Sequence, residues 1–400
     1  MSDNCYWVGE VFCIESCSAA PSSLFLETGA LRSPAFTSPA SGYGGSVAIS
    51  GDTAVVGSNN EINYGRGAVY VYVETGGSWN QQQVLSASDG ANYDRLGDSV
   101  AISGEYLIAG AGGDDDNGSS SGSAYVFVRS GTSWTEQQKL LASDGAGSDG
   151  FGRRVAISGV YALVGASGDD DDGSQSGSAY VFKRSGSSWS QTAKLTASDA
   201  DASFLFGDAL DLHGDDAIIG SFGNSSFGSD SGSAYVFTRS GESWIEQQKL
   251  TASDAEADAR FGGSVVIRGD YAIVSSNSGA YVFHRTGGVW TEQFKFIPDP
   301  EIPGQMILGT SVALSEDGSL AAIGGGTIDM DTFTFTGAMY IYQRTGSTWD
   351  YVETVSPSNG DTMDNFGLDS EFYDDHLIVG SFADMDLGQG AGGANIFTKQ

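Results

Sequence analysis

Apolar residues come along this chain in short bursts separated by Gly, Ser and Asp, and the bursts return in a fixed order. Within one unit the pattern predicts four strands: Ser99 to Ser103, Tyr106 to Gly110, Ala124 to Arg129 and Trp134 to Leu140. Gly104-Glu105 and Ser130-Gly131 read as tight turns between them. No helical periodicity runs through these bursts, so the unit is all-β. The stretch Ala124-Tyr125-Val126-Phe127 is apolar at successive positions. A sheet with one wet face would alternate, so this strand has neighbours on both faces.

The unit repeats. Phe-Gly followed by Ser-Val-Ala-Ile-Ser-Gly, or a variant, begins at Tyr43, Leu96, Phe151, Phe206, Phe261, Leu308 and Phe366. Gly-Ser-Ala-Tyr-Val-Phe, or a variant, recurs around Tyr70, Tyr125, Tyr180, Tyr235, Tyr281, Tyr340 and Ile396. A tryptophan after a Ser-Gly or Thr-Gly turn recurs at Trp79, Trp134, Trp189, Trp244, Trp290 and Trp349. Four strands per unit of about 40–50 residues describe a propeller blade. The fold class predicted is therefore a seven-bladed β-propeller of four-stranded antiparallel blades. Small residues in the first two strands suit the crowded axis, and the repeated aromatics belong to the core. The last unit stops at Gln400, just after its third strand. Its fourth strand is expected from residues 1–42, which close the ring and cover the bare edge. Two registers are open, one using Trp7 and one using about Leu26 to Arg32. Residues 1–42 and 43–400 thus read as one propeller domain.

Composition narrows the function. Fifty-eight glycines against seven prolines fit many tight turns rather than a linker. A net charge of −33 argues against nucleic acid and anionic membrane surfaces. It suits cations, basic partners or plain solubility. The three cysteines, Cys5, Cys13 and Cys17, precede the repeats, so no disulfide framework holds the blades. No run is long and apolar enough to span a membrane as a helix. The first ten residues lack the basic and apolar segments of a signal peptide.

Phe151-Gly152 with Val164-Gly165-Ala166, and Phe206-Gly207 with Ile219-Gly220-Ser221, carry a resemblance to the FG-GAP repeats of the integrin α-subunit head and its microbial relatives. It covers about residues 43–400. It implies a seven-bladed propeller, often extracellular or on the cell surface, used in adhesion or ligand binding. In one respect the chain departs from it. The calcium loops of that family lie between the first two strands, where this chain has only short turns such as Ser50-Gly51-Asp52. Such a turn cannot wrap a cation needing six to eight oxygens.

Strand order sorts the loops onto two faces. One face receives the connections between the second and third strands and those between blades, both rich in Asp. The other receives Arg129, Arg184, Arg239, Arg285 and Arg344 beside the last hairpin of each blade. Solvated turns capped by Asp account for most of the acidic loops. Weak calcium binding is the alternative, with candidate ligands Asp114, Asp116, Asp170, Asp172, Asp329, Asp331, Asp384 and Asp386. Acid–base catalysis is disfavoured because these pairs fill equivalent repeat slots, which points to a shared structural cause. His213, His284 and His376 form no site, and Arg268-Gly269-Asp270 is one variant of a common turn.

The residues that break the repeat carry more information. Eleven residues separate Gly110 from Gly122, but only three separate Ser275 from Gly279. Aromatic and apolar residues sit in the loops beside this shortened one: Phe222 and Phe227 before it, and Met330, Phe333 and Phe335 after it. This predicts a notch in the acidic face at blade 5, a candidate partner site. The expected function is a non-enzymatic binding module, adhesion-like, recognising a protein or glycan. The alternatives are a calcium-dependent surface module and a propeller hydrolase.

Overall fold

The computed structural model describes residues 23–32, 42–60, 65–297, 305–329, 334–358, 365–382 and 392–400. Seven four-stranded antiparallel sheets form a seven-bladed propeller. In blades 1 to 6 the strands run A to D in chain order, from the axis outward, as in Leu96–Ser103, Tyr106–Ala111, Ser123–Ser130 and Ser133–Leu140 of blade 2. Blade 7 differs. Its outer strand is Phe25–Leu31, which pairs with Gly393–Lys399. The register runs from Phe25 opposite Lys399 to Leu31 opposite Ala394, with an irregularity between Glu27 and Gly29. Of the two registers open from sequence, this is the second, shifted by one residue. Trp7 lies outside the described residues.

The repeated signature has a spatial meaning. The glycine of strand B in one blade lies against the Phe-Gly glycine of the next. Any Cβ on Gly57, Gly110, Gly165, Gly220 or Gly380 would collide with the carbonyl of Gly97, Gly152, Gly207, Gly262 or Gly44. The two halves of each repeat therefore meet across a blade boundary, where only glycine lets the backbones touch. Blade 5 has Ser275 at this slot, so its boundary with blade 6 is built differently.

Two rings of hydrogen bonds tie the blades together. The inner strand of each sheet is an edge, with N–H groups facing the channel. Ser46, Ser99 and Ser264 accept through Oγ from the N–H of Val100, Val155 and Val312 in the next blade, at 3.0, 3.1 and 3.2 Å. Ser50, Ser103 and Ser158 accept in the same way from Gly104, Gly159 and Gly214. On the outside, the amides of Gln83, Gln138 and Gln248 clasp both backbone groups of Trp134, Trp189 and Trp290. Between these rings the sheets stack through buried Tyr, Phe, Val and Leu. Ile108, Val126 and Leu140 of blade 2, for instance, share one core with Phe151, Tyr180 and Phe182 of blade 3.

Candidate functional site

The acidic loops are not simply solvated. In blade 2, Lys139 on strand D lies opposite Tyr125 on strand C. Its ammonium donates to Asp114 at 2.8 Å, Asp116 at 2.7 Å and Asp89 at 2.9 Å. The Tyr125 hydroxyl donates to Asp89 at 2.7 Å. Blade 3 repeats the cage with Lys194, Asp144, Asp169 and Asp171 at 2.9, 2.9 and 2.6 Å. Blade 4 keeps Lys249 and Asp199 but replaces two acids with Asn224 and Ser226. In blade 5, Lys295 keeps only Asp254 at 2.7 Å and a long contact to Ser278. Burial alone would lower the pKa of Lys139 and Lys194, but the surrounding carboxylates outweigh it and hold both well above the ordinary lysine range.

This geometry changes the metal assignment. Asp114 and Asp116 do converge, but on Lys139. In blade 3 the converging pair is Asp169 and Asp171, not Asp170 and Asp172, which are exposed. The Asp169–Asp172 run has no internal mark of register. The structure sets it by placing Asp169 under Tyr180, eleven residues on, as Asp114 lies under Tyr125. In each cage the ammonium stands where three carboxylates converge, so a calcium ion at that point would have to displace the lysine. Asp329 belongs to the paired backbone of strand B in blade 6. Asp331, Asp384 and Asp386 lie outside the described residues.

The arginines of the opposite face act as latches to the preceding blade. Arg129 pairs with Asp52 and Arg285 with Asp216 of the preceding blade, while Arg285 also holds Asp270 of its own blade. Arg184 stacks over Tyr106, Arg239 over Tyr161 and Arg344 over Tyr271. Arg268 does not project from its turn. It crosses into the central channel and pairs with Asp211 at 2.6 Å, with Glu371 3.9 Å away. Asp270 is engaged by Arg285, so neither charge of that tripeptide is free.

The channel itself has a volume of about 290 Å³ and is lined mainly by Ser, Ala and Val of the inner strands. Four acids interrupt that lining, Asp211, Glu316, Asp369 and Glu371, and three of them bind backbone N–H groups. Asp369 accepts from Val47 N–H, Glu371 from Ile49 N–H and Asp211 from Ile267 N–H, each at 2.8 Å. They serve the ladder that serines and backbone serve elsewhere. Burial pushes the Glu371 carboxyl up to about 7 against the opposing pull of Arg268. Sequence reasoning missed these acids because the axis-facing positions of strand A were treated as uniformly small.

The notch is present on the Asp-rich face. Strands Tyr271–Ser276 and Gly279–Thr286 of blade 5 are joined by Asn277 and Ser278 alone. Beside them opens a cavity of about 250 Å³ lined by Asp208, Phe222, Arg260, Ser276, Asn277 and Thr310 among others. The Arg260 guanidinium lies 5.9 Å from the centre of the half-buried Phe222 ring. Phe227, at the loop tip, is 57% exposed. Phe335 belongs to the paired backbone of strand C in blade 6, and Met330 and Phe333 lie outside the described residues. Arg260, Asp208 and Asn277 were not singled out from sequence. A signal existed for Arg260: its slot, with φ of 50°, is filled by Gly42 and Gly150 in blades 1 and 3.

Residues 38–72, 79–127, 134–182, 189–237 and 244–283, more than half the chain, match the FG-GAP repeat family model. No curated protein matches the sequence. Among solved structures, U3-55K superposes with a TM-score of 0.58 at 11% identity, over 92% of this chain and 97% of that one. The periplasmic gluconolactonase PpgL of Pseudomonas aeruginosa superposes with a TM-score of 0.53 at 12% identity, over 85% and 96%. At such identities the likeness is one of fold.

Proposed function

The chain belongs to the FG-GAP repeat family, and from that membership we propose that it is a non-enzymatic binding module whose ligand enters the notch of blade 5. The supporting observation is the cavity where the loop of blade 5 shrinks to Asn277 and Ser278 beneath Phe222 and Arg260. A glycan suits it better than a flat protein surface. One aromatic wall offers an apolar face to a sugar ring, while Asp208, Asn277, Ser276 and Thr310 offer converging donors and acceptors. The exposed ring of Phe227 extends the contact surface. Adhesion outside the cell is the setting in which this reading places the protein. The test is a glycan array probed with the wild type and with Phe222→Ser/Phe227→Ser. Binding that disappears in the variant, at an unchanged melting midpoint, supports the proposal. Equal binding by both proteins refutes it, and binding only to proteins displayed on cells reassigns the ligand class.

A further inference from the structure

Five arginines on the Asp-rich face have no ion-pair partner among the described residues: Arg66, Arg95, Arg153, Arg154 and Arg260. That is unexpected in a chain with 51 acidic and 18 basic side chains. The five lysines of blades 2 to 5 each hold at least one carboxylate. Three of the arginines gather at one place. Arg154 starts strand A of blade 3 with Arg153 just before it, and Arg95 immediately precedes strand A of blade 2. All three act electrostatically on Asp98, and Arg154 also on Asp369 of the channel wall. Asp98 is bonded to Asn59 at 2.8 Å rather than to any of them.

The repeat shows what Arg154 displaces. Its slot is Ser46, Ser99 and Ser264 in blades 1, 2 and 5, where the hydroxyl accepts a backbone N–H from the next blade. A guanidinium has no acceptor atom and cannot make that bond. The substitution removes a structural link and places a fixed positive charge on the wall of the 290 Å³ channel. Arg153 adds a second charge where blades 1 and 5 carry Gly45 and Gly263. Arg95 adds a third in a left-handed slot, φ 63°, that glycine fills in blades 1 and 3. Three guanidiniums without a carboxylate in ion-pair contact, Arg154 on the channel wall with one donor taken by the Arg153 carbonyl and Arg95 and Arg153 acting with it on Asp98, match the chemistry of an oxyanion.

We propose that the channel mouth on the Asp-rich face is an oxyanion-binding site formed by Arg95, Arg153 and Arg154, taking a carboxylate, phosphate or sulfate group. The site is separate from the notch and does not depend on the glycan reading. The probes are sodium phosphate, sodium sulfate and sodium citrate, titrated by calorimetry and by thermal melting in a constant chloride background. Arg153→Gly/Arg154→Ser installs the residues of blade 1, so the fold is expected to persist. Sulfate and phosphate stabilise proteins generally by exclusion, without saturation. The signature of the site is therefore a saturable heat and melting shift at millimolar anion in the wild type. It should weaken at least tenfold in R153G/R154S, fall partway in Arg95→Ser and stay unchanged in Phe222→Ser. The arm with the tightest binding identifies which oxyanion is preferred. An equal response in wild type and R153G/R154S, or no saturable response to any of the three anions, overturns the proposal.

Discussion

Replacing Lys139 with methionine tests the account of the acidic cages most directly. The substitution keeps the length of the side chain and removes its charge from among Asp89, Asp114 and Asp116. Two of these carboxylates are about half exposed, at 49% and 53%, while Asp114 is 4% exposed. An exposed pair contributes only about 0–1 kcal/mol. Leaving a buried charge without its partner costs about 3–5 kcal/mol. The loss should therefore be roughly 3–5 kcal/mol at pH 7, and most of it comes from Asp114. Lys295→Met is the internal control, because its one carboxylate, Asp254, is 55% exposed. It should lose no more than about 1 kcal/mol. The pH dependence gives a second check. In the wild type, burial raises the Asp89 pKa, but bonds from Lys139 and Tyr125 outweigh it and hold it low. That stability is present above the unfolded carboxylate pKa of about 3.9 and is lost as pH falls through the folded value. In Lys139→Met the ammonium that holds the Asp89 carboxyl low is gone, so protonating the cage relieves its unpaired charge as pH falls. The two urea midpoints should converge between pH 7 and pH 4. A deficit that is constant across that range, or equal losses in K139M and K295M, would refute the reasoning.

Three further outcomes are expected. Gly110→Ala drives a Cβ into the Gly152 carbonyl of blade 3 and should destabilise by about 1–3 kcal/mol or more, read as a lower urea midpoint; Ser275→Gly, which restores the repeat residue at the exceptional boundary, should be tolerated. Removing residues 1–32 strips the outer strand from Gly393–Lys399 and exposes its edge, so sedimentation should report aggregation. Glu371 has its folded pKa raised to about 7 from an ordinary value near 4.5, so the stability it contributes is fully present below about 4.5 and lost as pH rises through 7. Glu371→Gln should remove that slope, and wild-type and variant melting midpoints should diverge in the variant's favour from pH 5 to pH 8.

The architecture was legible because each blade repeats the same local decisions. Glycine turns, paired apolar strands and the Phe-Gly glycine recur at nearly constant spacing, so one misread unit is corrected by the others. The cages were less legible. Lys139 and Asp114 are 25 residues apart, and only the pairing of Tyr125 with Lys139 brings them together. A run such as Asp169 to Asp172 offers four equivalent registers, and the buried Tyr180 hydroxyl selects one. Arg268 and Arg154 were hidden for a different reason. Both stand at strand positions that serine fills in most of the other blades, and direction toward the axis follows from ring closure rather than from local pattern. The notch at blade 5 was visible as a shortened loop, while Arg260 and Asp208 on its wall come from two different blade junctions.

The closing strand imposes a timetable on the molecule's birth. Thr28 and Thr398 touch across blade 7, yet 370 residues separate them in the chain. At a translation rate of about 5–20 residues per second, Phe25–Leu31 leaves the ribosome roughly 20–75 s before its partner strand exists. Blades 1 to 6 each hold all four of their strands and can stack as they emerge, so an incomplete arc precedes the ring. During that interval the earliest strand is an orphan, and the arc carries two raw ends. A cell making this protein must shield both, and a stalled ribosome near the last blade would release an arc whose two ends can join to those of another copy.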